Sequence, residues 1–99
     1  MPLKELYLAF TSVDDLTPLR GAPLQSLTIA YAPIATLEPL EGMPLHHLYL
    51  SNTKVSDLTP LKGMPLESLH LDRTPVTSLN VLKGMPLARL RLDGCTQLT

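Results

Sequence analysis

The stretch Leu45-His46-His47-Leu48-Tyr49-Leu50-Ser51-Asn52-Thr53-Lys54-Val55 decides the fold. Leu48 and Leu50 flank Tyr49 in the alternation of a short strand buried on one face. Val55 then turns the chain back toward the same interior. Working outward in both directions, the pattern returns every 21 residues. Pro2, Pro23, Pro44, Pro65 and Pro86 keep that spacing, as do Gly21, Gly42, Gly63 and Gly84. An internal period of this length is the signature of a solenoid.

Written in rows of 21, the chain gives repeats 1–21, 22–42, 43–63 and 64–84 and a partial fifth, 85–99. Columns 3 and 6 are leucine in all five rows, and columns 16 and 19 in the four full ones. Column 8 reads Leu8, Ile29, Leu50, Leu71, Leu92, and column 13 reads Val13, Ile34, Val55, Val76. The ten prolines occupy only columns 2, 12 and 18, so proline here is punctuation at fixed places in each row.

One row predicts one coil. Leu6 and Leu8 alternate with Glu5, Tyr7 and Ala9, which gives a strand of about four residues. Asp15, Thr36, Asp57 and Ser78 in column 15, with Thr17, Glu38, Thr59 and Asn80 in column 17, are mostly residue types that accept hydrogen bonds from free amides at a helix start. Proline in column 18 suits the first helical position and glycine in column 21 a left-handed C-terminal cap. So few residues separate them that a single 3₁₀ turn is expected. Pro in column 2 then extends the chain toward the next strand. Residues Thr11, Thr53, Thr74 and Cys95 of column 11 are expected at the bend, the threonine hydroxyls bonded to nearby backbone and Cys95 a mostly buried filler.

Each row resembles the leucine-rich repeat, whose core pattern L-x-x-L-x-L-x-x-N/C/T-x-L residues 45–55 match, and the resemblance covers the whole chain. The run Asp57-Leu58-Thr59-Pro60-Leu61-Lys62-Gly63-Met64-Pro65-Leu66 is most similar to bacterial repeats, distantly to internalin-type proteins and more nearly to arrays in large bacterial proteins, some joined to serine/threonine kinases. The resemblance implies an α/β repeat solenoid, a right-handed superhelix with five short parallel strands on its concave face and 3₁₀ turns and loops on its convex face. This sequence departs from the common pattern in lacking a continuous asparagine ladder in column 11. Cys95-Thr96-Gln97-Leu98 also sets its apolar residue one position late, which predicts a wider last turn.

Composition narrows the function. Eight basic and nine acidic side chains give a net charge of −1, against a nucleic-acid binder, which is normally strongly basic. No apolar run reaches the roughly 18 residues that span a bilayer, and the first residues do not read as a signal peptide. The lone Cys95 excludes an internal disulfide.

The leucine columns turned inward leave columns 5, 7, 9 and 10 displayed on the sheet. All four aromatic residues, Tyr7, Phe10, Tyr31 and Tyr49, fall there. Aromatics and arginine are the residue types that anchor protein interfaces. The expected binding face therefore comprises Tyr7, Phe10, Tyr31, His47, Tyr49, His70, Arg73, Arg89 and Arg91, and its partner is a protein or peptide. The competing reading is that aromatics simply favour strands and cover exposed backbone. The face is graded, with aromatics in the first three rows and Arg73, Arg89 and Arg91 beside Asp72 and Asp93 in the last two. Residues 1–42 carry two basic and five acidic side chains, and residues 43–99 carry six basic and four acidic.

Sharper chemistry fails on spacing. His47 and His70 lie diagonally on one face without a third ligand, and a zinc site normally takes three or four. Ser51, His70 and Asp72 have neither an oxyanion hole nor a pocket. No catalytic residue, cofactor or metal site is expected. Neither end reads as a solenoid cap, so the chain is expected to be a segment of a longer array, with a self-associating structural unit as the alternative. A bacterial cytoplasm and a cell envelope, as part of a larger protein, suit it equally.

Overall fold

Every row enters the sheet at the same column. In the computed structural model, which describes residues 4–8, 10, 12 and 14–97, the strands are β1 (Glu5–Tyr7), β2 (Ser26–Thr28), β3 (His47–Tyr49), β4 (Ser68–His70) and β5 (Arg89–Arg91). They pair in chain order as one parallel sheet. The register follows the repeat, so that Leu6, Leu27, Leu48, Leu69 and Leu90 stand side by side. Each strand is three residues long, one shorter than the alternation suggests.

The 3₁₀ turns are Thr17–Leu19, Glu38–Leu40, Thr59–Leu61 and Asn80–Leu82. Column 15 caps all four. Asp15 Oδ1 accepts from the Thr17 amide at 2.9 Å and from Thr17 Oγ1 at 2.6 Å, and Asp57 repeats both bonds with Thr59. Thr36 and Ser78 use their hydroxyl oxygens for the same task at 3.3 and 3.2 Å. Column 17 does not accept as the sequence suggests: its threonines donate. Proline takes the second place of the turn, not the first, and the fourth turn forms around Val81 without it. Glycines 21, 42, 63 and 84 have φ between 80° and 85°, the left-handed closure expected of them.

The interior is one cluster of leucine, isoleucine, valine and methionine contributed by every full row. Leu27, Leu48 and Leu69 are fully enclosed, and each such side chain contributes about 1.5–3 kcal/mol by leaving water. Burial fades at the edges of the described sheet: Leu6 is half-buried and Leu90 is 40% exposed, so the leucines of the outer strands are not wholly internal. At the bend, Thr53 Oγ1 donates to the Leu50 carbonyl at 2.7 Å and Thr74 Oγ1 to the Leu71 carbonyl at 2.8 Å. Cys95 is half-buried and directs Sγ to the same Leu71 carbonyl at 2.9 Å. Expectations for Leu3, Ala9, Thr11, Val13 and Leu98, including the late apolar position of the last row, fall outside the described residues. The solenoid of five parallel strands and short 3₁₀ turns is a leucine-rich-repeat fold.

Candidate functional site

The sheet face is built by columns 5 and 7 on the strands and columns 9 and 10 just after them. The parallel ladder does not stop where the strands end. The amide of Phe10 donates to the Ala30 carbonyl at 2.9 Å, Tyr31 to Ser51 at 3.0 Å, Asn52 to Asp72 at 2.8 Å and Arg73 to Asp93 at 2.8 Å. The column 10 residue lies in the left-handed region in every row: φ is 60° at Phe10, 61° at Tyr31, 62° at Asn52, 57° at Arg73 and, without that bond, 77° at Gly94. For a bulky L-residue this conformation is an outlier that costs roughly 1–2 kcal/mol. In the first four rows the bond to the next row accompanies it. Sequence reading placed these side chains on the face but missed their backbone. The signal was present, since Asn52 and Gly94 are the residue types that tolerate left-handed geometry.

The shared backbone aligns the side chains. The rings of Phe10 and Tyr31 stack with centroids 4.6 Å apart and planes 8° from parallel. That separation is close to the 4.7–4.9 Å spacing of neighbouring strands, so the ladder itself sets the stack. Both rings are open to solvent, Phe10 by 74% and Tyr31 by 48%. Tyr7 is equally open at 73%. Tyr49 is half-buried and meets His70 edge to face, centroids 4.5 Å apart. No described aromatic ring lies among the leucines.

Arg91 is held between two carboxylates, 3.3 Å from Asp72 Oδ2 and 3.3 Å from Asp93 Oδ2. Asp72 is fixed further by the Asp93 amide, which donates to Oδ1 at 2.9 Å. Arg73 and Arg89, both exposed, form no ion pair among the described residues. His70 sits below the ordinary imidazole value of 6.5. Burial is the main cause, Arg91 and then Arg89 add to it, and Asp72 opposes it.

His47 and His70 do lie on neighbouring strands and are diagonal, since His47 is opposite Ser68 and His70 opposite Tyr49. His47 Nδ1 is buried with no hydrogen-bond partner among the described residues. His46 turns away and bonds Glu67 Oε2 through Nδ1 at 3.0 Å. Among the described residues no three His, Cys, Asp or Glu side chains gather as a metal group. One member of the displayed columns is misplaced by the sequence reading: Ser68 is buried at 5% exposure. Its short side chain lies in register between the longer His47 and Arg89.

The nine residues expected on the binding face are thus grouped by the fold. Phe10, Tyr31 and Arg73 share the column 10 ladder with Asn52. Tyr7, Tyr49, His70 and Arg91 share column 7, and His47 and Arg89 share column 5. Lys54, not singled out by the sequence, joins the first group. It lines a shallow depression of about 410 Å³ with Tyr31, Ala32, Pro33 and Asn52. A larger hollow of about 980 Å³ lies on the opposite side, between the third and fourth turns, with Lys62, Met64, Val81 and Lys83 among its walls.

No protein-family model matches the chain, and no curated protein matches it. Among solved structures, an internalin C2 from Listeria monocytogenes superposes with a TM-score of 0.85 at 28% identity. The match covers 97% of this chain and 49% of that one. An internalin (inlF) from the same organism has a TM-score of 0.83 at 23% identity, covering 98% of this chain and 33% of its own. The present chain therefore spans about half the length of the first and a third of the second.

Proposed function

We propose that this chain, an internalin-like leucine-rich-repeat solenoid, is a non-enzymatic binding module that recognises a protein or peptide with the exposed face of its parallel sheet. The internalin-like fold supports a protein-interaction repeat in general terms, and the choice of face is our reading. One observation carries it: the open, stacked pair Phe10 and Tyr31. A soluble surface gains little by presenting two large rings in a costly backbone conformation, whereas a partner gains rigid apolar area at small entropic cost.

Selection from a displayed library of random linear peptides tests this reading. Ligands of the native chain should lose binding when Tyr31→Ser and Tyr49→Ser are combined, with the circular dichroism spectrum unchanged. Retained affinity in a folded double variant removes the sheet face from consideration.

A further inference from the structure

We propose that the docking line on this face is the left-handed column of Phe10, Tyr31, Asn52 and Arg73, and that its partner is an extended acidic peptide segment carrying an aromatic side chain. The inference rests on the sheet face being the binding surface and adds which part of it binds and what it takes.

Three observations converge on that line. The aromatic stack ends at Tyr31, and the next rung is the shorter Asn52. The depression of about 410 Å³ lies at this step, walled by Tyr31, Ala32, Pro33, Asn52 and Lys54. A planar side chain entering it meets the Tyr31 ring and Pro33, an apolar pair that favours an aromatic over a flexible aliphatic group. Two cations stand at its edge. Lys54 and Arg73 are exposed and form no ion pair among the described residues. The carboxylates nearest in sequence to Arg73 are already engaged: Asp72 holds Arg91 and the Asp93 amide, and Asp93 holds Arg91. The line therefore offers a guanidinium and an ammonium that form no ion pair among the described residues, and a carboxylate-bearing partner supplies the complement.

The spacing sets the peptide. Tyr31 and Arg73 are two rungs apart, about 10 Å at the strand spacing, and an extended chain covers about 3.3 Å per residue. An aromatic residue beside Tyr31 thus directs the side chains three and four positions along toward Arg73, whose Cγ leans to the Gly94 rung. Asn52 stands between them, with an amide that both donates and accepts for the intervening peptide backbone. Arg91, by contrast, is outnumbered by its two carboxylates and offers less to an acid.

The chain contains no tryptophan, so a tryptophan probe reports binding without background. An acetylated and amidated peptide with one tryptophan, followed three residues on by a pair of glutamates, is titrated into the full chain while its emission is followed. A saturable shift is expected. Replacing both glutamates by glutamine, or introducing Tyr31→Asn or Arg73→Glu, should weaken binding at least about tenfold, the scale of an interface hot spot. Lys83→Glu, on the turn side opposite the sheet face, should change it less than about twofold, as for a charge outside the interface. Tyr31→Asn is chosen because Asn52 already occupies the same backbone geometry, and amide exchange of the core confirms the fold.

The absence of a saturable shift at millimolar peptide overturns the proposal. An equal loss from Lys83→Glu and Arg73→Glu does so too, since it reduces the effect to general charge attraction. Self-association abolished by Tyr31→Asn, in place of peptide binding, assigns the line to a second copy and overturns it as well. Library ligands that depend on Tyr49 and Arg91 but on neither Tyr31 nor Arg73 refute this line while leaving the face reading intact. Ligands that depend on no face residue end both.

Discussion

Arg73 lies across Gly94: a β-carbon built on Gly94 would stand 2.9 Å from Arg73 Cγ. The two are consecutive rungs of the same left-handed column, φ being 57° and 77°. Gly94→Ala adds a β-carbon in that backbone region, at a cost of about 1–2 kcal/mol, and also forces the Arg73 side chain aside. Arg73→Gly removes the left-handed cost at its own rung, partly offset by about 0.5–1 kcal/mol of glycine entropy. Urea unfolding of both single variants and the double should show Gly94→Ala costing less in the Arg73→Gly background. Strict additivity would mean that the contact has no energetic weight.

Much of this arrangement was legible in the sequence, and the limits of that reading have physical causes. Leucine columns at a fixed period can face only a shared interior, so the register of Leu27, Leu48 and Leu69 follows from the pattern. Column 15 caps were readable because Asp and Ser accept amide bonds locally. Column 10 was harder. Phe10 and Tyr31 read as ordinary strand aromatics, and nothing intrinsic to them favours positive φ. The conformation belongs to the turn that ends each strand and goes with a bond to the next row at Phe10, Tyr31, Asn52 and Arg73, which a residue-by-residue reading does not contain. The burial of Ser68 likewise depends on its neighbours, since it is a short side chain in register between His47 and Arg89. The choice of Arg91 over Arg89 as the partner of Asp72 depends on the neighbouring strand.

The turn caps predict an acid-sensitive element. Asp57 is held below the ordinary carboxylate value of 3.8, chiefly by the hydrogen bond from the Thr59 hydroxyl and then by that from its amide, and Asp15 is held down in the same way by Thr17. A depressed carboxylate contributes stability that is present above 3.8 and lost as pH falls through its lower folded value. Melting temperature should therefore decline below pH of about 4. Asp57→Ser keeps an acceptor of the kind Ser78 provides but cannot titrate in this range. Its melting curve should be flatter over the same acid window, and an unchanged acid slope in that variant and in Asp15→Ser would remove the caps as the cause.

Burial grades the leucine column. Leu48 is fully enclosed between neighbouring coils, whereas Leu90 is 40% exposed on the last described strand. Leu48→Ala should cost about 2–5 kcal/mol, combining lost transfer energy with a cavity that its neighbours cannot fill. Leu90→Ala in this 99-residue chain should cost about 1 kcal/mol or less, because solvent already reaches the site and no closed cavity forms. Denaturant midpoints compare the two directly. Equal losses would contradict the gradient of burial along the sheet.

His70 provides a titration that ranks its own surroundings. Its imidazole is held below 6.5 first by burial, then by the positive charge of Arg91, with Asp72 acting in the opposite sense and Arg89 adding a smaller push. A depressed histidine binds fewer protons folded than unfolded. Its contribution to stability is therefore present above 6.5 and is lost as pH falls through the folded value. Arg91→Gln removes a like charge and also frees Asp72 from its 3.3 Å partner, and both changes favour the imidazolium. The His70 pKa, followed by its ring proton resonances, should rise in this variant yet stay below 6.5, because the largest cause, burial against Tyr49 and the sheet, is left in place. A pKa unmoved by Arg91→Gln would show that the guanidinium does not act on the ring. A value rising past 6.5 would make charge, and not burial, the dominant influence at this rung of the face.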